Sequence, residues 1–260
     1  MTHDPMAQPV PHKVVIMARG LGTRMRKSAE GVSLTADQAA AAAAGVKAMI
    51  SLGGRPFLDY VISALADAGF DEFCLVIGPE HNVIRDYYDS CEKSRLSIVY
   101  AIQERPLGTA DAVATAEDFA GEDRVLVVNS DNFYPEDAVA RLREVPASGT
   151  LGFTKRAMIA QSNIDPERIH AFALLNSDDS GQLRDIIEKP DPHIVDAVGE
   201  TALVSMNCFL LTPTIFEACR SIEKSERGEY EIVDAVRWMV EHGERFDVVP
   251  VESGVLDMSN

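Results

Sequence analysis

The chain has 260 residues, 46% apolar and 25% charged, the profile of an ordinary globular protein with room for one large α/β domain. Its formal charge of −17 argues against nucleic acid and anionic membrane as partners, because such a surface repels phosphate backbones and lipid headgroups. A phosphate ligand must then be held by a few local Arg and Lys side chains or by a metal, so the placement of individual basic residues is informative.

Residues 1–12, with three prolines and two histidines, read as a flexible leader and not as a signal or transit peptide. Lys13–Ala18 (KVVIMA) predicts a buried strand. Leu34–Ala44 is alanine-rich and flanked by Thr35 as an N-cap and Gly45 as a stop, which predicts a short helix. That segment reads either as a tolerated insertion or as a flap over a site. Phe57–Ala68 has helical spacing and ends at Gly69. Glu72–Ile77 predicts a strand, Asn82–Tyr88 a helix, Leu96–Ile102 a strand, Thr109–Phe119 a helix and Arg124–Val128 a strand. Strands separated by helices require right-handed crossovers and a mostly parallel sheet. Ligands in such sheets sit beyond the carboxyl ends of the strands, so the loops after Ala18, Ile102 and Val128 are expected to line one cleft.

The second half changes character. Leu151–Thr154, His170–Leu175 and Leu183–Glu188 are strand-like, and the turn at Ser177–Gly181 makes the last two a hairpin. Leu203–Leu211 is a further strand, and Pro213–Cys219 and Ile232–Glu241 are helical. No repeat or linker appears, which predicts one domain over 13–260 with a mixed sheet. No apolar run approaches the roughly 20 residues of a membrane span. Cys74, Cys91, Cys208 and Cys219 form no CxxC pair, so they read as free thiols of a reducing cytoplasm. His81 and His170 lack partners at metal or triad spacing and read as structural or surface residues. Trp238 reads as core.

The first strand runs into Ala18-Arg19-Gly20-Leu21-Gly22-Thr23-Arg24. Two glycines directly after a buried strand let the backbone turn tightly and aim its N–H groups at a phosphate, and Arg24 adds a bidentate donor. A Walker A loop is excluded by the missing GK[ST], and a dinucleotide fingerprint by the missing third glycine.

This loop resembles the GxGTRxxP signature of the nucleoside-diphosphate-sugar pyrophosphorylases, the sugar-1-phosphate nucleotidyltransferases. The resemblance continues at Lys47–Ile62 (KAMISLGGRPFLDYVI), Gln103–Val113 (QERPLGTADAV), Ser130-Asp131-Asn132, Glu188-Lys189-Pro190 and Gly228–Val236 (GEYEIVDAV). It implies a Rossmann-like three-layer α/β/α fold of the GT-A-like nucleotidyltransferase type, with a nucleotide-binding half over 13–135 and a sugar-binding half over 136–257. The implied reaction joins a nucleoside triphosphate to a sugar 1-phosphate and releases pyrophosphate, with UTP or dTTP preferred.

In that reaction a sugar phosphate oxygen attacks the α-phosphorus in line, and no covalent nucleophile is needed. The resemblance assigns Arg24 to the leaving pyrophosphate and Lys47 to the α-phosphate. Ala18, Gly20, Leu21, Gly22, Thr23, Gln103, Gly108 and Thr109 fall to the nucleotide. Glu188, Lys189 and Asn207 fall to the sugar phosphate, and Asp131 and Asp257 to Mg²⁺. Members often form homo-oligomers, although no interface is readable here. The chain departs from the pattern in three places. The alanine-rich segment separates Arg24 from Lys47. Asn207 replaces a frequent glycine, in a position where asparagine tolerates left-handed backbone angles. Arg19 replaces a small residue and leaves open a phosphate contact or an altered base side of the pocket. The chain ends three residues after Asp257, where the family usually continues into another helix. A cytidylyl- or guanylyltransferase with another phosphate acceptor, and a non-catalytic relative that binds nucleotide sugar, stay open on the motifs alone.

Overall fold

Strand β1 (Lys13–Met17) forms from a run of β-branched and apolar residues whose last four are buried. The computed structural model describes residues 9–20, 47–169, 172–188, 190–191, 193 and 199–258. The described end of the expected leader is tied down. The Pro11 carbonyl accepts from Arg143 Nε at 2.6 Å, and the His12 carbonyl accepts from the N–H groups of Asp71 and Glu72 at 3.1 and 3.2 Å. Residues 9–12 are therefore not free.

The remaining strands are β2 (Ser51–Leu52), β3 (Arg55–Pro56), β4 (Glu72–Ile77), β5 (Ser97–Ile102), β6 (Val125–Asn129), β7 (Asn132–Phe133), β8 (Ser148–Thr154), β9 (Leu174–Ser177), β10 (Leu183–Ile187), β11 (Leu203–Leu211), β12 (Phe246–Val251) and β13 (Leu256–Asp257). The helices are α1 (Phe57–Asp67), α2 (Asn82–Ser90), α3 (Thr109–Ala114), α4 (Glu117–Ala120), α5 (Glu136–Arg143), α6 (Lys155–Gln161), α7 (Pro166–Ile169), α8 (Thr214–Ser221) and α9 (Ile232–Glu241).

One sheet of nine strands runs β10-β9-β11-β6-β1-β4-β5, with β8 paired to β11 and β12 to β8. The first-half block β6, β1, β4, β5 is parallel, as the strand–helix alternation predicts. The second half joins it through the antiparallel pairs that β11 makes with β6, β8 and β9, so the sheet is mixed. Side chains alternate across it. Val14, Ile16, Phe73 and Leu75 face a core built with α1, α2 and α5. Val15, Met17, Cys74 and Val76 face a second core built with α3, α8 and α9. The result is the expected three-layer α/β/α arrangement.

Two predicted elements differ. The helix expected over Thr109–Phe119 breaks into α3 and α4, because the Thr115 hydroxyl donates back to the Ala112 carbonyl at 2.7 Å and tightens the turn. The strand expected at His170–Leu175 is shorter among the described residues: Phe172 and Ala173 stand outside β9, which begins at Leu174, and Phe172 N–H donates to the Ile169 carbonyl at 3.2 Å. The predicted hairpin holds: Asp178 Oδ1 accepts from the N–H groups of Ser180 and Gln182 at 2.9 and 3.1 Å, shaping the turn between β9 and β10.

Candidate active site

The carboxyl ends of β1, β4, β5 and β6 are laced together. Ala18 N–H donates to the Val76 carbonyl at 2.9 Å, Gln103 N–H to Ile77 at 2.9 Å and Ser130 N–H to Met17 at 3.3 Å. Between the loops that follow lies a cavity of about 480 Å³. Ala18, Arg19 and Gly20 line it from the first loop, Lys47 and Ala48 from a short 3₁₀ turn, Gln103, Gly108 and Thr109 from the third, and Asn129, Ser130 and Asp131 from the fourth. Arg227 and Glu229 complete the lining from the segment before α9. The three loops expected to share one cleft do share it. Leu21, Gly22, Thr23, Arg24, the Leu34–Ala44 segment, His170 and Lys189 lie outside the described residues.

Gln103 is 3% exposed and its amide is oriented by chemistry. Nε2 donates to the Gly108 carbonyl at 3.0 Å and to Asp111 Oδ2 at 2.7 Å. Both partners only accept, so the NH₂ group must face them and Oε1 is the atom left for a ligand. Gly108 sits at φ 120°, ψ 178°. A β-carbon there would lie 2.3 Å from the Tyr230 carbonyl oxygen and 2.6 Å from its nitrogen. This close approach is how the Gln103–Val113 block meets the Gly228–Val236 block. Tyr230 N–H donates to the Leu107 carbonyl, 2.8 Å, and its carbonyl accepts from Ala110 N–H, 2.9 Å. Thr109 adds a third tie: its hydroxyl accepts from Ile232 N–H at 2.8 Å and caps α9.

Asp131 and Asp257 are brought together by the small ladder of β7 and β13. Asp257 lies opposite Asn132, and Met258 N–H donates to the Asp131 carbonyl at 2.9 Å. Tyr134 reports on both carboxylates. Its buried hydroxyl is held well above the ordinary phenol value, first by burial, then by Cys208, and then by Asp131 and Asp257. Asp257 is 6% exposed and supported from a distant loop. Asn163 Nδ2 donates to its carbonyl at 2.8 Å, its own N–H donates to Asn163 Oδ1 at 2.7 Å, and Arg168 Nη2 lies 3.6 Å from its carboxylate. Among the described residues, no group of three or more His, Cys, Asp and Glu forms a preassembled metal cluster.

Glu188, Asn207 and Asp257 do not line the cavity. Glu188 is nevertheless within electrostatic reach of Arg227. Burial opposes that guanidinium's charge, but Glu231, Glu229 and Glu188 outweigh it and raise its pKa. Asn207 stands at φ 54°, within the register shift of β11, the left-handed geometry anticipated for it. His81 is structural: 3% exposed, it accepts from Gly78 N–H through Nδ1 at 3.3 Å. Trp238 is half-buried, packing against the second core and stacking on the His242 ring with centroids 3.8 Å apart. All four cysteines are free thiols, and burial pushes Cys74 up to about 12.

Sequence reasoning left Arg19's direction open and missed Asp111, Asn163, Arg168, Arg227 and Glu229. Asp111 lies inside the GTADA stretch, and Arg227 immediately precedes GEYEIVDAV, so both were within reach of a wider reading of those blocks. Nothing near Asn163 points to a partner 94 positions away. No helix among the described residues is long and apolar enough to cross a membrane.

The nucleotidyl transferase family model matches residues 13–253. UTP–glucose-1-phosphate uridylyltransferase AglF of Haloferax volcanii is 29% identical over 248 residues, covering 95% of this chain and 90% of that protein. A glucose-1-phosphate thymidylyltransferase of Streptomyces griseus is 29% identical over 234 residues, covering 89% of this chain and 58% of that protein. In fold, the chain is similar to a UDP-glucose pyrophosphorylase solved in complex with UDP-glucose, with a TM-score of 0.73 at 18% identity, covering 96% and 94% of the two chains. The extent of the family match, together with the cavity at the strand ends, shows that the chain belongs to the nucleotidyl transferase family.

Proposed function

We propose that the chain transfers the nucleotidyl group of UTP or dTTP to a sugar 1-phosphate and releases pyrophosphate. The observation that carries the choice of base is the orientation of Gln103. An acceptor oxygen facing the base demands a donor, which the imide N–H of uracil or thymine supplies and the N3 of cytosine does not; guanine N1–H would supply one too, and the choice against guanine rests on the relatives. The names of the uridylyl- and thymidylyltransferase relatives support the same reading.

Both substrates are anionic, so the site's main work is alignment and charge compensation. Ala18 and Gly20 present the start of the loop to the triphosphate, with Leu21, Gly22 and Thr23 continuing it. Lys47, which lines the same cavity as Asp131, offsets charge on the α-phosphate, and Arg24 holds the departing pyrophosphate. Glu188, Lys189 and Asn207 serve the sugar phosphate, whose oxygen attacks the α-phosphorus as the bond to pyrophosphate breaks. Asp131 and Asp257 suit Mg²⁺: the β7–β13 ladder sets the two residues on neighbouring segments, and their carboxylates offer oxygen donors that substrate phosphates and water can complete. When bound, Mg²⁺ neutralises charge on the phosphates between which the bond breaks. We place the reaction in the cytoplasm, in keeping with four unpaired thiols.

The test is pyrophosphate release with Mg²⁺, crossing UTP, dTTP, CTP, ATP and GTP against glucose 1-phosphate, N-acetylglucosamine 1-phosphate and mannose 1-phosphate. Release confined to UTP or dTTP with one sugar is the expected result. Release with CTP alone would overturn the base assignment. Asp131→Asn should lose nearly all turnover with the fold intact. Lys189→Ala should raise the sugar-phosphate KM more than the nucleotide KM.

A further inference from the structure

Arg19 is the first residue of the phosphate loop to depart from the small residue its position resembles, and its side chain does not lie free in the cavity it borders. The side chain is 6% exposed. Nη1 donates to the main-chain carbonyl of Gln103, and Nη2 lies 3.4 Å from Glu80 Oε1. Among the described residues, no group accepts from its buried Nε. Room for the guanidinium comes from Gly78, where a β-carbon would stand 2.6 Å from Nε and 2.4 Å from Glu80 Oε2. One side chain therefore crosses the carboxyl ends of three neighbouring parallel strands. It starts after β1, passes over the loop after β4 and ends on the residue after β5.

Gln103 is held at each of its other polar groups. Its N–H donates to Ile77, its Nε2 to Gly108 and Asp111, and its carbonyl accepts from Arg19. Of these partners, only Arg19 belongs to the loop that meets the phosphates. Of the two readings the sequence left open, this geometry favours the base side. A guanidinium bound to the Gln103 carbonyl and to Glu80 is committed to the wall of the pocket and not to a triphosphate.

We infer that Arg19 is a positioning residue for base selection: it pins the Gln103 main chain to the phosphate loop and so fixes where Oε1 meets the base. This rests on the reading that Gln103 faces the base. It makes selection among nucleoside triphosphates depend on a loop residue that need not touch the base.

The experiment compares Arg19→Lys, Arg19→Met and Gln103→Leu by steady-state kinetics with UTP, dTTP, CTP and GTP, and by calorimetric titration with the same nucleotides. Lysine keeps the charge but cannot span two acceptors with a planar fork. Both Arg19 variants should raise the KM for the preferred triphosphate about tenfold and lower its kcat/KM advantage over CTP about tenfold. The sugar-phosphate KM should move less than twofold. A uniform rise in KM for every triphosphate would make Arg19 a phosphate residue and overturn the inference. So would an unchanged advantage over CTP while Gln103→Leu abolishes it. If Gln103→Leu itself leaves the advantage intact, the base reading fails and the inference falls with it. Should Arg19→Met unfold, Arg19→Met combined with Glu80→Gln removes both charges together and is read by the same ratio.

Discussion

Replacing Gly108 with alanine tests whether the contact between the two distant sequence blocks builds the nucleotide pocket. The backbone at φ 120°, ψ 178° is open to glycine and costs other residues about 1–3 kcal/mol. The added β-carbon would also stand 2.3 Å from the Tyr230 carbonyl oxygen, 2.6 Å from its nitrogen and 2.9 Å from its carbonyl carbon. These are main-chain atoms, so no rotamer change relieves the clash. Tyr230 can withdraw only by giving up its bonds to Leu107 and Ala110, at 2.8 and 2.9 Å, each worth about 1 kcal/mol net. Strain and broken bonds together come to roughly 3–5 kcal/mol, a large share of an ordinary domain's stability. Gly243→Ala is the control. Gly243 also has positive φ, 87°, but nothing lies within 4 Å of its β-position, so strain acts there alone. Urea unfolding of both variants, with the KM for UTP, measures the difference. We expect Gly108→Ala to lose at least 2 kcal/mol more than Gly243→Ala and to raise the nucleotide KM at least tenfold. Equal losses in the two variants with an unchanged KM would refute the reasoning.

Other predictions address the support of the site. Asn163→Ala removes both hydrogen bonds to the Asp257 backbone; titration with Mn²⁺, followed by electron paramagnetic resonance, should show about tenfold weaker binding, and unchanged affinity would make Asn163 a mere loop residue. Tyr134→Phe removes the bond from the buried hydroxyl to the Met206 carbonyl at 2.7 Å and should cost about 1–2 kcal/mol in urea unfolding. His81 is held below the ordinary imidazole value chiefly by burial, assisted by the Arg19 charge and partly offset by Glu80. The unfolded chain therefore takes up this proton first as pH falls, and His81 contributes stability that is present at pH 7.5 and lost as pH falls through the ordinary imidazole range near 6.5. Urea midpoints at pH 7.5 and 5.5 should drop more in the wild type than in His81→Gln, and parallel drops would sink the assignment.

How far the sequence carries depends on what encodes each feature. The block of β1, β4, β5 and β6 is legible because each strand is an apolar run bounded by helical periodicity, and the loops beyond its carboxyl ends did converge on one cavity. Strand β8 is legible only from Leu151 onward, although it begins at Ser148. Ser148, Gly149 and Thr150 look like a turn, yet all are buried. Thr150 Oγ1 donates to the Cys208 carbonyl at 3.0 Å, Ser148 Oγ donates to Glu244 at 3.0 Å, and a β-carbon on Gly149 would press the Asp247 carbonyl at 3.0 Å. Small polar residues serve there because β12 packs alongside, a fact that local periodicity does not hold. Strand β12 is itself obscured by Pro250, which an edge strand tolerates. The site divides the same way. Gln103 and Asp131 follow strands that announce themselves, so topology alone brings them to the cleft. Asp257 reaches the neighbourhood of Asp131 through a two-residue ladder to β7 and an amide supplied by Asn163, and neither leaves a periodic trace. Arg19 combines the two cases. Its place after β1 is legible, but its direction is decided by Gly78, whose missing side chain makes room for the guanidinium beside Gln103. What a strand end presents can thus be read from sequence, whereas what holds it in position depends on contacts between segments far apart in the chain.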